Sequence, residues 1–268
     1  MMQKTRTFPL AVAAVAFFAV GGGTAIAAGE HAQSGGADGG SHTHAGATVS
    51  ASEPIQLAYS AAGVLRGQMQ ETPDSQIPES LLAGAHCIGV FPQVFKEGLI
   101  VAGKHGDGIV ACRGTSGDWN KHAPAFYSLS GGSIGLQAGA QVTTLVMLFM
   151  DNDAVQQLQS GNIKLGANAS GAAGPTGAHA GIHTAPAGVV VYRLGTGGGF
   201  AGAQIQGVQI APDKGVNRSV YGDSASVGQL LTQAGDVPKE VQVFSKALAD
   251  YAPSSNFNPQ MKVAADDS

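Results

Sequence analysis

Between Glu53 and Gln70 the apolar residues Ile55, Ala58, Ala62, Leu65 and Met69 recur at steps of three and four. That spacing places them on one stripe and predicts an amphipathic helix. A second short helix is expected over Pro78–Ala85. From His86 the period changes. Cys87–Pro92 reads as a short strand stopped by Pro92, and Gly98–Gly114 as two strands around a turn at His105-Gly106-Asp107-Gly108. After a turn at Ser116–Asn120, the run Ala123–Asp153 should hold two or three more strands. Within it Ser133, Gly135, Gln137 and Gly139 alternate with Ile134, Leu136, Ala138 and Ala140, a period of two. The bulky run Val142–Met150 covers nine residues, about half of what a membrane helix needs. It reads as a strand covered on both faces.

Asp151–Gly161 predicts a short helix, capped by Asn152 or Asp153 and ended by Gly161. Ile163–Leu165 opens a strand that runs into a small-residue loop. Gly188–Leu194 is a strand, and Ala203–Ile210 is closer to a strand than to a helix. The tail turns helical over Ser224–Gly235 and again over Pro238–Ala252, where Val241, Phe244, Leu248 and Tyr251 form the apolar stripe and Pro238 takes a first-turn position. The order is helix, many short strands, helices. It predicts an α+β fold: an antiparallel twisted sheet closed into a barrel or sandwich, flanked by an N-terminal helix and C-terminal helices.

The start of the chain changes the picture. Lys4 and Arg6 precede an apolar run from Pro9 to Val20, and Ala25-Ile26-Ala27 resembles a cleavage site. Residues 1–27 therefore read as a signal peptide, too short in its apolar part to serve as a span, and the product as an exported, soluble, periplasmic or envelope-associated protein. Residues 28–52 are rich in Gly, Ser and His and almost without bulky apolar residues, the composition of a disordered linker. Residues 53–252 form the domain, large enough for a core of its own, and residues 253–268 a loose tail. The chain carries 14 basic and 18 acidic residues, net −4, and removing Lys4 and Arg6 with the leader leaves −6. That balance argues against a nucleic-acid partner.

Candidate chemistry is sparse. Gly131–Gly139 lacks the Gly-Lys-Ser/Thr ending of a phosphate loop and no helix follows it. Gly197–Gly202 matches G-x-G-x-x-G by letter, but the following residues read as a strand, and a chance match is expected among 40 glycines. His31, His42 and His44 lack companion ligands for a metal site. His179 and His183 stand four apart in a Gly/Ala/Pro loop with no helix to align them. His105 lies beside Asp107 with Ser128, Ser130 and Ser133 nearby, yet no nucleophile-elbow spacing frames a serine. No cofactor and no catalytic constellation is expected. Cys87 and Cys112 lie in strand-like runs of an exported chain, so they are either a disulfide or two buried thiols.

Three segments together resemble one family: Phe91–Arg113, Gly117–Pro175 and Gly198–Gly222. Their order is similar to that of the SYLF domain as found in bacterial exported proteins, over Ile55 to Tyr251. The resemblance implies a lipid-binding, non-enzymatic domain. Eukaryotic members are associated with phosphoinositide membranes and some with actin. It also implies that Cys87 and Cys112 form a disulfide, a pair that recurs in bacterial members. The chain departs from the usual pattern at Gly174-Pro175-Thr176-Gly177-Ala178, where an arginine is missing.

The cations that could meet a head group are Lys96, Lys104, Arg113, Arg193, Lys214 and Arg218, because anions are held by cationic side chains and turn amides. Asn217 and Tyr221 are expected to bond their segment to the core. The expected function is a lipid- or membrane-binding module of the bacterial cell envelope for anionic phospholipid head groups. The alternative is a structural envelope protein with a protein partner.

Overall fold

The computed structural model describes residues 52–98, 101–134, 139–161, 163–165, 180–184, 188–194 and 208–258. The expected signal peptide, nearly all of the expected linker, the glycines at 197–202, His179 and the last ten residues lie outside this set. Helix α1 (Ser52–Gln70) and the short α2 (Glu79–Gly84) precede strands β1 (Cys87–Gly98), β2 (Val101–Cys112), β3 (Ala125–Ile134) and β4 (Gly139–Phe149). Helix α3 (Asn152–Ser160) leads to β5 (Ile163–Leu165), β6 (Ala180–Thr184), β7 (Val189–Leu194) and β8 (Val208–Pro212). Helices α4 (Lys214–Tyr221), α5 (Val227–Thr232) and α6 (Gln242–Tyr251) close the domain.

The strands form one eight-stranded sheet in the order β5-β8-β3-β2-β1-β4-β7-β6, with every described pairing antiparallel. Among the described residues the ladder ends at β5 and β6. The expected closed barrel is therefore corrected to an open sheet. The expected sandwich of two sheets is also replaced, because the layers packed on this sheet are helical.

Strand alternation builds a core on each face. On one face Ile88, Val90, Ile109, Ala111, Phe126, Val146, Leu148, Val190 and Tyr192 pack under α1, α2 and α6. On the other, Cys87, Phe91, Val110, Cys112, Tyr127, Met147, Phe149 and Val191 pack under Ala154 and Leu158 of α3 and Leu231 of α5. Each fully buried Leu, Ile or Phe stabilises the fold by about 1.5–3 kcal/mol. The apolar side of α1 is consumed here, since Ala58, Ala61, Ala62 and Leu65 are all at 0% exposure. Within its stripe, Met69 turns outward and Gln68 inward.

Two expected boundaries are corrected. The strand from Cys87 does not stop at Pro92. It continues to Gly98 through a bulge, where the partner register moves from Val90↔Ile109 to Gln93↔Asp107. Proline is tolerated at a bulge because no ladder donor is required there, and Thr144 donates its hydroxyl to the Pro92 carbonyl at 2.7 Å. Nor is His105–Gly108 a turn. It lies within β2, and its glycines serve close packing. A Cβ at Gly108 would stand 2.4 Å from the Phe91 ring, and one at Gly106 would stand 2.6 Å from the Gln93 carbonyl oxygen.

The helices follow their caps. Asp151 accepts from the Ala154 amide at 2.7 Å, one residue earlier than expected, and Gly161 ends α3 at φ 80°. Ser226 and Gln229 form a capping box on α5. Helix α6 begins at Gln242, with the amides of Val241 and Gln242 bonded to the Pro238 carbonyl. Cys87 and Cys112 are direct partners across β1 and β2 and are joined as a disulfide.

Candidate anion-binding trough on the sheet

The bulge at Pro92 decides where Lys96 points. Uninterrupted alternation from Ile88 and Val90 would put Lys96 on the α1 face. The bulge reverses the parity, since one residue of slip exchanges the faces. Val94 packs with the α3 side, and Lys96, two residues on, shares that face. Its partner on β2 is Lys104, in step with Val110 and Cys112. On β7, Arg193 follows Val189 and Val191 onto the same face, and on β4 Thr143 follows Leu145. The Arg193 Nη2 donates to the Thr143 Oγ1 at 3.3 Å.

Lys96, Lys104 and Arg193 are therefore brought together beyond the apolar floor of Val94, Leu129, Leu145 and Val208. The Lys104 pKa lies below the ordinary lysine value, first because of burial, then because of the nearby charges of Lys96 and Arg193. That coupling carries geometric information. Strands β2 and β7 are separated by β1 and β4, three strand spacings or about 14 Å in a flat sheet. The long side chains of Lys104 and Arg193 reach toward each other across β1 and β4, and the sheet itself is curled, so this end of the face is a candidate trough. Gly131 is the β3 partner of Lys104, and Gly181 is the β6 partner of Arg193. No Asp or Glu occupies this face at the described strand positions.

The other three expected cations are not part of it. Arg113 is 7% exposed. Its guanidinium donates to the carbonyls of Ala85 (3.1 Å), Gly117 (2.8 Å) and Leu82 (3.2 Å), and stacks on Trp119 and Phe257. Burial lowers its pKa to about 10. It fastens α2 and the 114–119 turn, a structural role. Lys214 and Arg218 are exposed on α4, and Arg218 pairs with Asp223 at 3.0 Å. Sequence reasoning missed Thr143, which carries no signal in a strand of Val and Thr.

Asn217 and Tyr221 bond inward, as expected, although from helix α4. The buried Asn217 exchanges hydrogen bonds with both backbone groups of Phe126, and Tyr221 donates to the Pro124 carbonyl at 2.6 Å. On the opposite face of the sheet end, His105 stacks on Phe95 with ring centroids 5.3 Å apart. Asp107 lies beside it with its pKa raised by burial, then by Asp213, with His105 opposing and Glu53 adding. His183, read from sequence as part of a loop, belongs to β6. No group of three or more His, Cys, Asp or Glu able to hold a metal occurs among the described residues, and no described helix is long and apolar enough to cross a membrane.

A family model described as Las17-binding protein actin regulator, Ysc84, matches residues 130–251. The chain belongs to this family, the SYLF domain family. The match takes in Thr143, Arg193 and the Asn217–Tyr221 segment, while Lys96 and Lys104 precede it. Protein YSC84 of Saccharomyces cerevisiae is 30% identical over 170 residues, 62% of this chain and 36% of its own length. SH3 domain-containing protein PJ696.02 of Schizosaccharomyces pombe is 33% identical over 161 residues, 58% of this chain and 37% of its own. The human SH3 domain-containing YSC84-like protein 1 is 31% identical over 192 residues, 69% of this chain and 55% of its own. The chain thus spans about half or less of the length of these relatives. No solved structure matches it.

Proposed function

We propose that this SYLF domain is a non-enzymatic lipid- and membrane-binding module of the bacterial cell envelope that holds anionic phospholipid head groups in the trough. The observation that carries this reading is the convergence of Lys96, Lys104 and Arg193 on one face of the sheet, fixed by the strand register and the bulge at Pro92. Cationic side chains gathered on one face form the kind of site that holds an anion. The leader-like start of the chain supports the envelope as its place. Flotation with liposomes tests the proposal. Phosphatidylcholine vesicles containing phosphatidylglycerol should carry the protein upward, phosphatidylcholine alone should not, and binding should weaken as salt shortens the screening length. Equal flotation with both vesicle types, or none, would contradict it.

A second reading rests on the family description, which names a protein partner. On that reading the domain is a structural or protein-interaction module and its partner an envelope protein. Absence of flotation together with a stable complex isolated from the envelope would favour it.

A further inference from the structure

The cations of the trough are not equivalent, and the difference deepens the proposed function, on which this inference rests. Arg193 is oriented: its Nη2 is fixed on the Thr143 hydroxyl. Its Nη1 is shielded from solvent and meets no acceptor among the described residues. A shielded donor without an acceptor is costly and uncommon in folded proteins. Thr143 accepts from Arg193, so its own hydroxyl hydrogen remains directed elsewhere and can donate. The position paired with Arg193 on β6 is Gly181, which places no side chain beside the guanidinium.

We propose that Arg193 and Thr143 form a discrete seat for one phosphate group, with Lys96 and Lys104 supplying attraction around it. A planar guanidinium presents two donors in a fixed fork that matches two phosphate oxygens, whereas a lysine ammonium acts as a point charge. Binding then depends on the identity of the cation at position 193 as well as on total charge. The ligand chemistry is a phosphate group, carried by a phospholipid or free in solution.

The test is charge-conserving. Arg193→Lys and Thr143→Val are compared with wild type and with Arg66→Lys, a substitution on the exposed side of α1. Each protein is measured by flotation with phosphatidylglycerol vesicles, by calorimetric titration with inorganic phosphate, and by thermal melting. With melting unchanged, Arg193→Lys should weaken vesicle binding by about tenfold, Thr143→Val should weaken it less, and Arg66→Lys should match wild type. If wild type binds inorganic phosphate, Arg193→Lys loses it and neither protein floats, the seat stands with free phosphate as its ligand and the membrane reading falls. If Arg193→Lys floats and titrates as wild type does, the seat is overturned while charge-driven membrane binding survives. If wild type neither floats nor binds phosphate, both proposals fall.

Discussion

At the scale of single residues, glycines in this chain act by what they leave out. His105–Gly108 carries the letters of a hairpin turn, and sequence reasoning read it so. Nothing local distinguishes a glycine needed for a turn from one needed so that an aromatic ring can lie on the strand. Only the pairing of β1 with β2 brings the Phe91 ring over Gly108. Gly108→Ala should therefore cost about 1–3 kcal/mol by overpacking, seen as a lower urea midpoint with the slope unchanged. Asp107 gives a prediction in pH. Its folded pKa is raised, chiefly by burial and Asp213, so the folded protein binds this proton more tightly than the unfolded chain does. At neutral pH the carboxylate is ionised in both states and burdens the fold, and the burden disappears as pH falls through the folded pKa toward 3.8. Asp107→Asn should be more stable than wild type at pH 7, with the gap closing on acidification. Denaturant melts across that range check this, and a gap that widens in acid would refute it.

At the scale of elements, legibility followed length and periodicity. Helix α1 and the stripe Val241, Phe244, Leu248 and Tyr251 were readable because their apolar residues recur over several turns. Helix α4 was not, because its eight residues fit a turn as well as a helix and Asn217 earns its place through Phe126, far away in sequence. Strand β6 was hidden in a run of Gly and Ala with little strand propensity. The bulge at Pro92 was misread as a strand end for a sound local reason, since proline ends most central strands. Its consequence is the parity change that turns Lys96 toward Lys104. The disulfide ties the same two strands at their other end, closing a loop with a sequence separation of 25. Removing it as Cys87→Ala with Cys112→Ala should lower stability by about 3 kcal/mol in the chain-entropy account, measurable by equilibrium unfolding without reductant. A loss well under 1 kcal/mol would show that the ladder holds these strands unaided.

At the scale of the whole molecule, a net negative chain gathers three cations on one end of one sheet face. All three were named from sequence, but as members of a set of six that sequence had no means of dividing. Lys96 and Lys104 meet through a hairpin. Arg193 joins them only because β7 lies beyond β4 and the sheet curls, both long-range facts. The central claim is that this trough draws the domain to anionic membranes. The most direct measurement is flotation of the Lys96→Gln, Lys104→Gln double variant beside wild type, with vesicles of phosphatidylcholine containing phosphatidylglycerol. The account predicts a loss of about tenfold or more in vesicle binding at low salt from a double variant that still melts cooperatively. Undiminished flotation of the double variant would contradict it.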